Sequence, residues 1–120
     1  MWDGINRRKF PRAHFPCKII ILSSEHPKSF TTKTENIGCG GVCVVLPKPL
    51  KLFSIVGIQL FLEEKSSPIE CSGRIVWVVG RKSSKSFKPE SFDTGIEFVD
   101  IKEEDIEKIA KLVEKLSKEK

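Results

Sequence analysis

Tyrosine is absent from this 120-residue chain, methionine occurs once, and histidine occurs only as His14 and His26. That leaves little material for proton transfer or covalent chemistry. A nucleophilic Cys or Ser needs a positioned base. His14 stands two residues after Arg12 and His26 directly before Pro27, and neither has a carboxylate at a useful spacing. Both read as solvated histidines, and no enzyme is expected. No uninterrupted apolar run reaches the length of a bilayer span. The opening MWDGINRRKFPRAHFP lacks the apolar centre of a secretory signal. These absences predict a cytoplasmic protein with reduced thiols. The four cysteines, Cys17, Cys39, Cys43 and Cys71, contain no C-x-x-C. Cys39 and Cys43 have no histidine pair to complete a zinc site, so small buried hydrophobes are the better reading. As disulfides the four would allow three connectivities, with nothing in the sequence to select one. There are no internal repeats.

What is present is ordinary for one globular domain: 39% hydrophobic and 31% charged residues. Lys+Arg number 21 against 16 Asp+Glu, a net charge of +5 that points towards an anionic partner without identifying it. Residues 1–16 show neither helical nor strand periodicity. They read as a basic arm, with Arg7, Arg8 and Arg12 interleaved with Trp2, Phe10 and Phe15. A merely frayed terminus rarely carries three bulky aromatics.

From Cys17 the pattern is β. Cys17–Leu22 is apolar and β-branched, residues 30–36 are Thr-rich and alternating, and 42–46 are apolar before Pro47 and Pro49. Val56, Ile58, Leu60 and Leu62 alternate on one face. Ile69, Cys71, Gly73, Ile75, Trp77 and Val79 alternate on another, where Gly73 marks a bulge or a close backbone approach. Residues 80–92 read as a mobile Lys/Ser-rich loop and 94–99 as the last strand. The period then changes: Ile106, Ile109, Leu112, Val113 and Leu116 form one helical stripe. Asp100 is placed to cap this helix with Glu103 as its capping-box partner. Acidic residues lie at its start and lysines at its end, as the dipole favours. The fold class predicted is mainly β: a small six-stranded antiparallel barrel with a C-terminal α-helix that covers an open end or packs on a neighbour. The arm spans 1–16 and the barrel with its helix 17–120.

Two motifs stand out. Arg8 and Arg12 form R-x-x-x-R within Arg7-Arg8-Lys9-Phe10-Pro11-Arg12, two planar forks suited to phosphates or to the O6/N7 edge of guanine. Pro11 keeps the segment from being an ordinary helix. The second is Asn36-Ile37-Gly38-Cys39-Gly40-Gly41 at a strand junction. Its glycines permit positive φ and close approach of a ligand to the backbone. Taken alone it is equally a tight hairpin turn. Asn36 would cap that turn or bond a base edge.

Together these features resemble the PilZ domain family, bacterial receptors for cyclic di-GMP (c-di-GMP). That family carries R-x-x-x-R in an N-terminal arm, followed by [D/N]-x-S-x-x-G. Here Arg8 and Arg12 match the first motif, and Asn36 and Gly41 the ends of the second. The stretches 73–78 and 94–100 and the closing helix resemble the family's late elements, so the likeness covers nearly the whole chain. One departure stands in the second motif: the family's Ser is Gly38, which removes a hydroxyl and weakens a ligand contact. The resemblance implies a c-di-GMP receptor or adaptor domain with no cofactor. Arg7, Arg8 and Arg12 would hold phosphates and guanine edges, Asn36 the opposite guanine edge, and Gly38 and Gly41 a closely approached backbone. The ligand would lie on the barrel's outer face under the arm, which orders on binding and signals to a protein effector. The alternative within the fold is a degenerate protein adaptor, related to motility or pilus assembly, that binds no nucleotide. A general nucleic-acid barrel is a third reading. No DNA or RNA partner is expected, because the strands lack an exposed aromatic platform.

Overall fold

The structure, a computed structural model, describes residues 12–13, 15–25, 29–63, 67–82 and 89–118. Among these, seven strands precede one helix: β1 (Arg12–Ala13), β2 (Lys18–Leu22), β3 (Phe30–Gly38), β4 (Gly41–Leu46), β5 (Ile55–Phe61), β6 (Ile69–Arg81), β7 (Ser91–Asp100) and α1 (Glu103–Lys118). Every pairing is antiparallel. The order β3-β2-β5-β6-β7-β4 closes through a β3–β4 pairing into a six-stranded barrel, as expected. The alternating residues of each strand supply its interior: Ile19 and Ile21, Val42, Val44 and Leu46, Val56, Ile58 and Leu60, Ile75 and Ile96 are at most 2% exposed. Each such side chain contributes roughly 1.5–3 kcal/mol when fully buried. Ile109 and Val113 of α1 join the same core, so the helix covers the barrel rather than a neighbouring molecule.

Three expectations need correction. The arm does contain a strand: Arg12 and Ala13 pair with Gly38 and Ile37. Two residues are too few to show a period, so no sequence pattern marks it. Asp100 does not cap the helix, because its backbone is committed to β7 opposite Ser72. Lys102 takes the cap position instead, its carbonyl accepting the N–H groups of Asp105 and Ile106. Asp105 stays in the first turn, nearly buried, with Lys108 Nζ 3.6 Å away. The two ends of the expected 80–92 loop are sheet, with Gly80 paired to Phe92 and Arg81 to Ser91, while residues 83–88 lie outside the described residues.

The root of the arm is tied down by one side chain. Thr34, 2% exposed, accepts the Cys17 N–H at 3.0 Å through its hydroxyl and donates to the Phe15 carbonyl at 2.7 Å. The Thr34 N–H in turn bonds the Cys17 carbonyl at 2.9 Å. Residues 37 and 38 of β3 pair with β4 on one edge and β1 on the other, so β1 and β2 share an edge. The Thr34 hydroxyl fills the break between them, where the ladder would otherwise leave buried groups unpaired. Gly73 lies at a bulge, the first of the two expectations for it, and the close approach there is by side chains rather than by backbone. The register shifts between Ser72 and Gly73, and a Cβ there would lie 2.5 Å from Ile96 and 2.6 Å from Ile58.

At the start of β5, Phe53 adopts φ 66°, a conformation costly for a bulky residue. It is held there by its N–H bonded to the Ile75 carbonyl and by Glu25, whose carboxylate accepts the Lys51 N–H at 3.0 Å. Its ring is 67% exposed. Phe53→Gly is therefore expected to raise unfolding free energy by about 0.5–1 kcal/mol, with backbone relief exceeding the added unfolded-state entropy. Phe53→Val is expected to lower it; urea titration reads both. Thr34→Val is expected to cost about 2 kcal/mol, because it strands a buried N–H and a partly buried carbonyl. Thr34→Ser retains the hydroxyl and is expected to cost clearly less by the same titration.

Candidate functional site

Two β-bulges decide which side chains reach the outer face. On β3, Thr34 pairs with Val44 but Asn36 pairs with Cys43, so Glu35 is an extra residue. Without that bulge Asn36 would share the inward face of Thr34. With it, Ile37 turns in and is fully buried while Asn36 turns out, half-buried. On β6, Ile75 pairs with Ile96 and Trp77 with Gly95, so Val76 is extra. This corrects the expectation that Trp77 and Val79 continue the inward face of Ile75. Val78 packs on the core instead, Trp77 is half-buried, and Val79 is 55% exposed.

The two bulges bring one row into register across four strands: Asn36, Cys43, Gly95 and Trp77. A Cβ on Gly95 would collide with the indole of Trp77, so the ring lies over that glycine on the outer face. Sequence reasoning did not place Trp77 on the row of Asn36. The signal available was the small residue at Gly95, which leaves room for a large ring on the neighbouring strand. The extruded Glu35 is held by Arg81 at 3.6 Å, and Arg81 Nε also contacts Asp93 at 2.8 Å. The Asp93 bond raises the Arg81 pKa further, and the guanidinium is occupied by two carboxylates beside this row.

The second motif forms the adjoining hairpin. β3 runs through Gly38, Cys39 and Gly40 make the turn, and β4 begins at Gly41, paired to Gly38. Positive φ is not what the glycines supply, since no described glycine adopts it. Gly41 is required by close packing: a Cβ there would strike the Ile96 carbonyl. Cys39 Sγ reaches the Ile106 carbonyl of α1 at 3.7 Å, tying the turn to the helix. Arg12 is the register partner of Gly38, two residues along β3 from Asn36. Arg12, Asn36, Gly38 and Gly41 are thus gathered at one end of the barrel. Arg7, Arg8, His14 and His26 lie outside the described residues.

The thiols offer little reactivity. Cys17 and Cys43 are buried, and Cys39 and Cys71 half-buried, none in a disulfide. Burial, reinforced by Asp105 and Asp100, pushes the Cys71 pKa up to about 11, which leaves it protonated at neutral pH. Among the described residues no cluster of His, Cys, Asp and Glu is arranged to hold a metal, and no helix is long and apolar enough to cross a membrane.

Comparisons with known proteins agree on the architecture. No curated protein matches the chain. Among solved structures, the Bacillus subtilis inhibitor of motility MotI/DgrA superposes with a TM-score of 0.79 at 20% identity, over 95% of this chain and 53% of that one. The c-di-GMP-bound PilZ domain of YcgR from Escherichia coli gives 0.70 at 14%, over 94% and 93%. MrkH of K. pneumonia in complex with c-di-GMP gives 0.69 at 14%, over 94% and 53%. The chain thus spans about half the length of MotI and MrkH. The PilZ domain family model matches residues 6–115. With that match across nearly its full length, on a closed six-stranded barrel with one helix, the chain belongs to the PilZ domain family.

Proposed function

We propose that this chain is a c-di-GMP receptor, with the nucleotide seated on the outer face beside Asn36 and covered by the arm. The observation that carries this reading is the β1–β3 pairing. It sets Arg12 opposite Gly38 and so joins the R-x-x-x-R segment to the Asn36–Gly41 hairpin. The ligand has two phosphates and two guanines. Arg8 and Arg12, with Arg7 as a third cation, bond phosphate oxygens and the O6/N7 edge of guanine through their planar forks. Asn36 meets the other guanine edge through its amide. Gly38 and Gly41 let the backbone approach closely, and the exposed part of the Trp77 ring offers apolar surface for a base in the same row. Residues 1–16 act as the closing arm, anchored to the barrel by the Thr34 bonds and the β1–β3 pairing, and 17–120 as the platform. Ordering of the arm in the cytoplasm is the signal that a protein effector reads. The reading involves neither catalysis nor a nucleic-acid partner.

Gly38 favours a second reading, an adaptor that has lost the nucleotide. The family hydroxyl it lacks is worth roughly 0.5–1.5 kcal/mol, a two- to tenfold weakening that leaves binding possible.

Calorimetric titration with c-di-GMP, GTP and single-stranded DNA separates the readings: receptor function requires saturable binding of c-di-GMP alone. Arg8→Ala and Arg12→Ala are each expected to lose at least tenfold in affinity, and Arg→Lys to recover it only partly, since the fork is lost. Undiminished affinity in both alanine variants would remove the site assignment. Gly38→Ser is expected to tighten binding about two- to tenfold with little change in melting temperature, because φ at this position is not in the left-handed region.

A further inference from the structure

Most lysines of α1 lie on one flank. The apolar stripe of the helix enters the barrel through Ile109 and Val113, while Lys108, Lys111 and Lys115 run along one flank around Leu112, with Glu104 one turn before Lys108, and Glu103, Glu107 and Glu114 lie along the other. The lysine flank faces a cleft of about 390 Å³ between α1 and the β5–β6 connection, floored by Leu62, Ile69 and Leu112, with Glu63 as the one acidic residue against three lysines in its lining. Lys108 has Asp105 at 3.6 Å. Among the described residues, Lys111 and Lys115 have no carboxylate within ion-pair distance. A second recess of about 580 Å³ adjoins at Leu62, walled by Phe15, Phe61, Lys18 and Lys33. Lys18 and Lys33 are direct cross-strand partners, and Lys18 Nζ sits 5.0 Å from the Phe61 ring centre. Like charges placed directly opposite each other on a sheet repel, a cost that a bound anionic group would offset.

From these features we propose that this basic, apolar-floored track is a docking site for an acidic amphipathic segment of a partner protein. Lys108 and Lys115 are two turns apart, about 10.5 Å along the axis. The fitting partner therefore presents carboxylates about that far apart with a Leu- or Phe-sized side chain between them, entering over Leu62 and Leu112. Its remaining carboxylates reach Lys18 and Lys33. The chain's own arm is an unsuitable occupant, since Arg7, Arg8 and Lys9 repeat the charge of the track. The acidic flank of α1 in a second copy is also unsuitable, because the apolar stripe beside it is already spent in its own barrel. The α1 cleft is independent of the nucleotide reading: Ile69 and Trp77 stand eight residues apart on β6, roughly 25 Å, so that cleft lies towards the other end of the strand from the Asn36 row, whereas the Lys18–Lys33 recess borders the arm root at Phe15.

The test is fluorescence anisotropy with a labelled 15-residue Glu/Leu peptide of helical amphipathic pattern, run on the full chain. Two control peptides replace every Leu by Ser or every Glu by Lys. Saturable binding of the Glu/Leu peptide, at least tenfold weaker for the Ser control and absent for the Lys control, is expected. Lys111→Glu/Lys115→Glu, both exposed positions, should lose at least tenfold with circular dichroism unchanged. Amide shift changes on peptide addition should centre on Leu62, Ser67 and Leu112. Any of the following would overturn the proposal: no binding of the Glu/Leu peptide, equal affinity for the Ser control, or affinity unaffected by the double variant. So would tighter binding of an oligo-dT 15-mer or of phosphatidylglycerol vesicles through the same lysines, or self-association that the double variant abolishes. Calorimetry with c-di-GMP on the same double variant keeps this outcome separate from that of the nucleotide site.

Discussion

The hydroxyl of Thr34 is the contact on which the useful part of this molecule depends. A barrel strand that must accept two partners along one edge, β1 and then β2, passes a point where neither continues the ladder. Thr34 supplies the missing donor and acceptor to Phe15 and Cys17 from a position almost closed to water. In that setting an unpaired backbone group is costly. The side chain therefore does more than stabilise: it fixes where the arm leaves the barrel and so lets Arg12 reach the register of Gly38.

The bulges follow directly from that anchor. Thr34 must point inward to reach the arm root, and Ile37 must point inward to fill the barrel. Strict alternation cannot place both residues 34 and 37 on one face. Extruding Glu35 resolves the conflict and turns Asn36 to the outside. A matching extra residue at Val76 turns Trp77 out on β6, over a glycine that leaves space for its ring. Bulges are commonly found where a sheet must re-aim a side chain. Here two of them aim at the same row from opposite sides of a four-strand span. The Glu35–Arg81–Asp93 contacts pin the first bulge from outside.

The charge distribution divides the surface in a complementary way. Arg12 pairs at the β3–β4 hairpin end, whereas Lys108, Lys111 and Lys115 gather along α1 beside the β5–β6 connection. A net charge of +5 spread evenly would predict only a diffuse attraction for anions. Gathered in part along one flank of α1, it gives that flank a local attraction for anions. The helix serves both ends, since Ile106 receives the Cys39 thiol of the hairpin while Leu112 floors the cleft.

Strand composition and the period change before α1 were enough to suggest a six-stranded barrel with a closing helix, because alternation and helical stripes are local properties of the chain; Arg7, Arg8, Arg12, Asn36, Gly38 and Gly41 were singled out as site residues only through the family resemblance that their two motifs carry. The face of each residue beyond a bulge was not local. Trp77 reads as core by simple alternation from Ile75, and only the register of β6 against β7 moves it outside. The two-residue strand at Arg12, the cap at Lys102 rather than Asp100, and the need for glycine at Gly41 all come from contacts with residues distant in sequence. Each depends on which backbone groups are already engaged elsewhere, and that is settled only when the barrel closes.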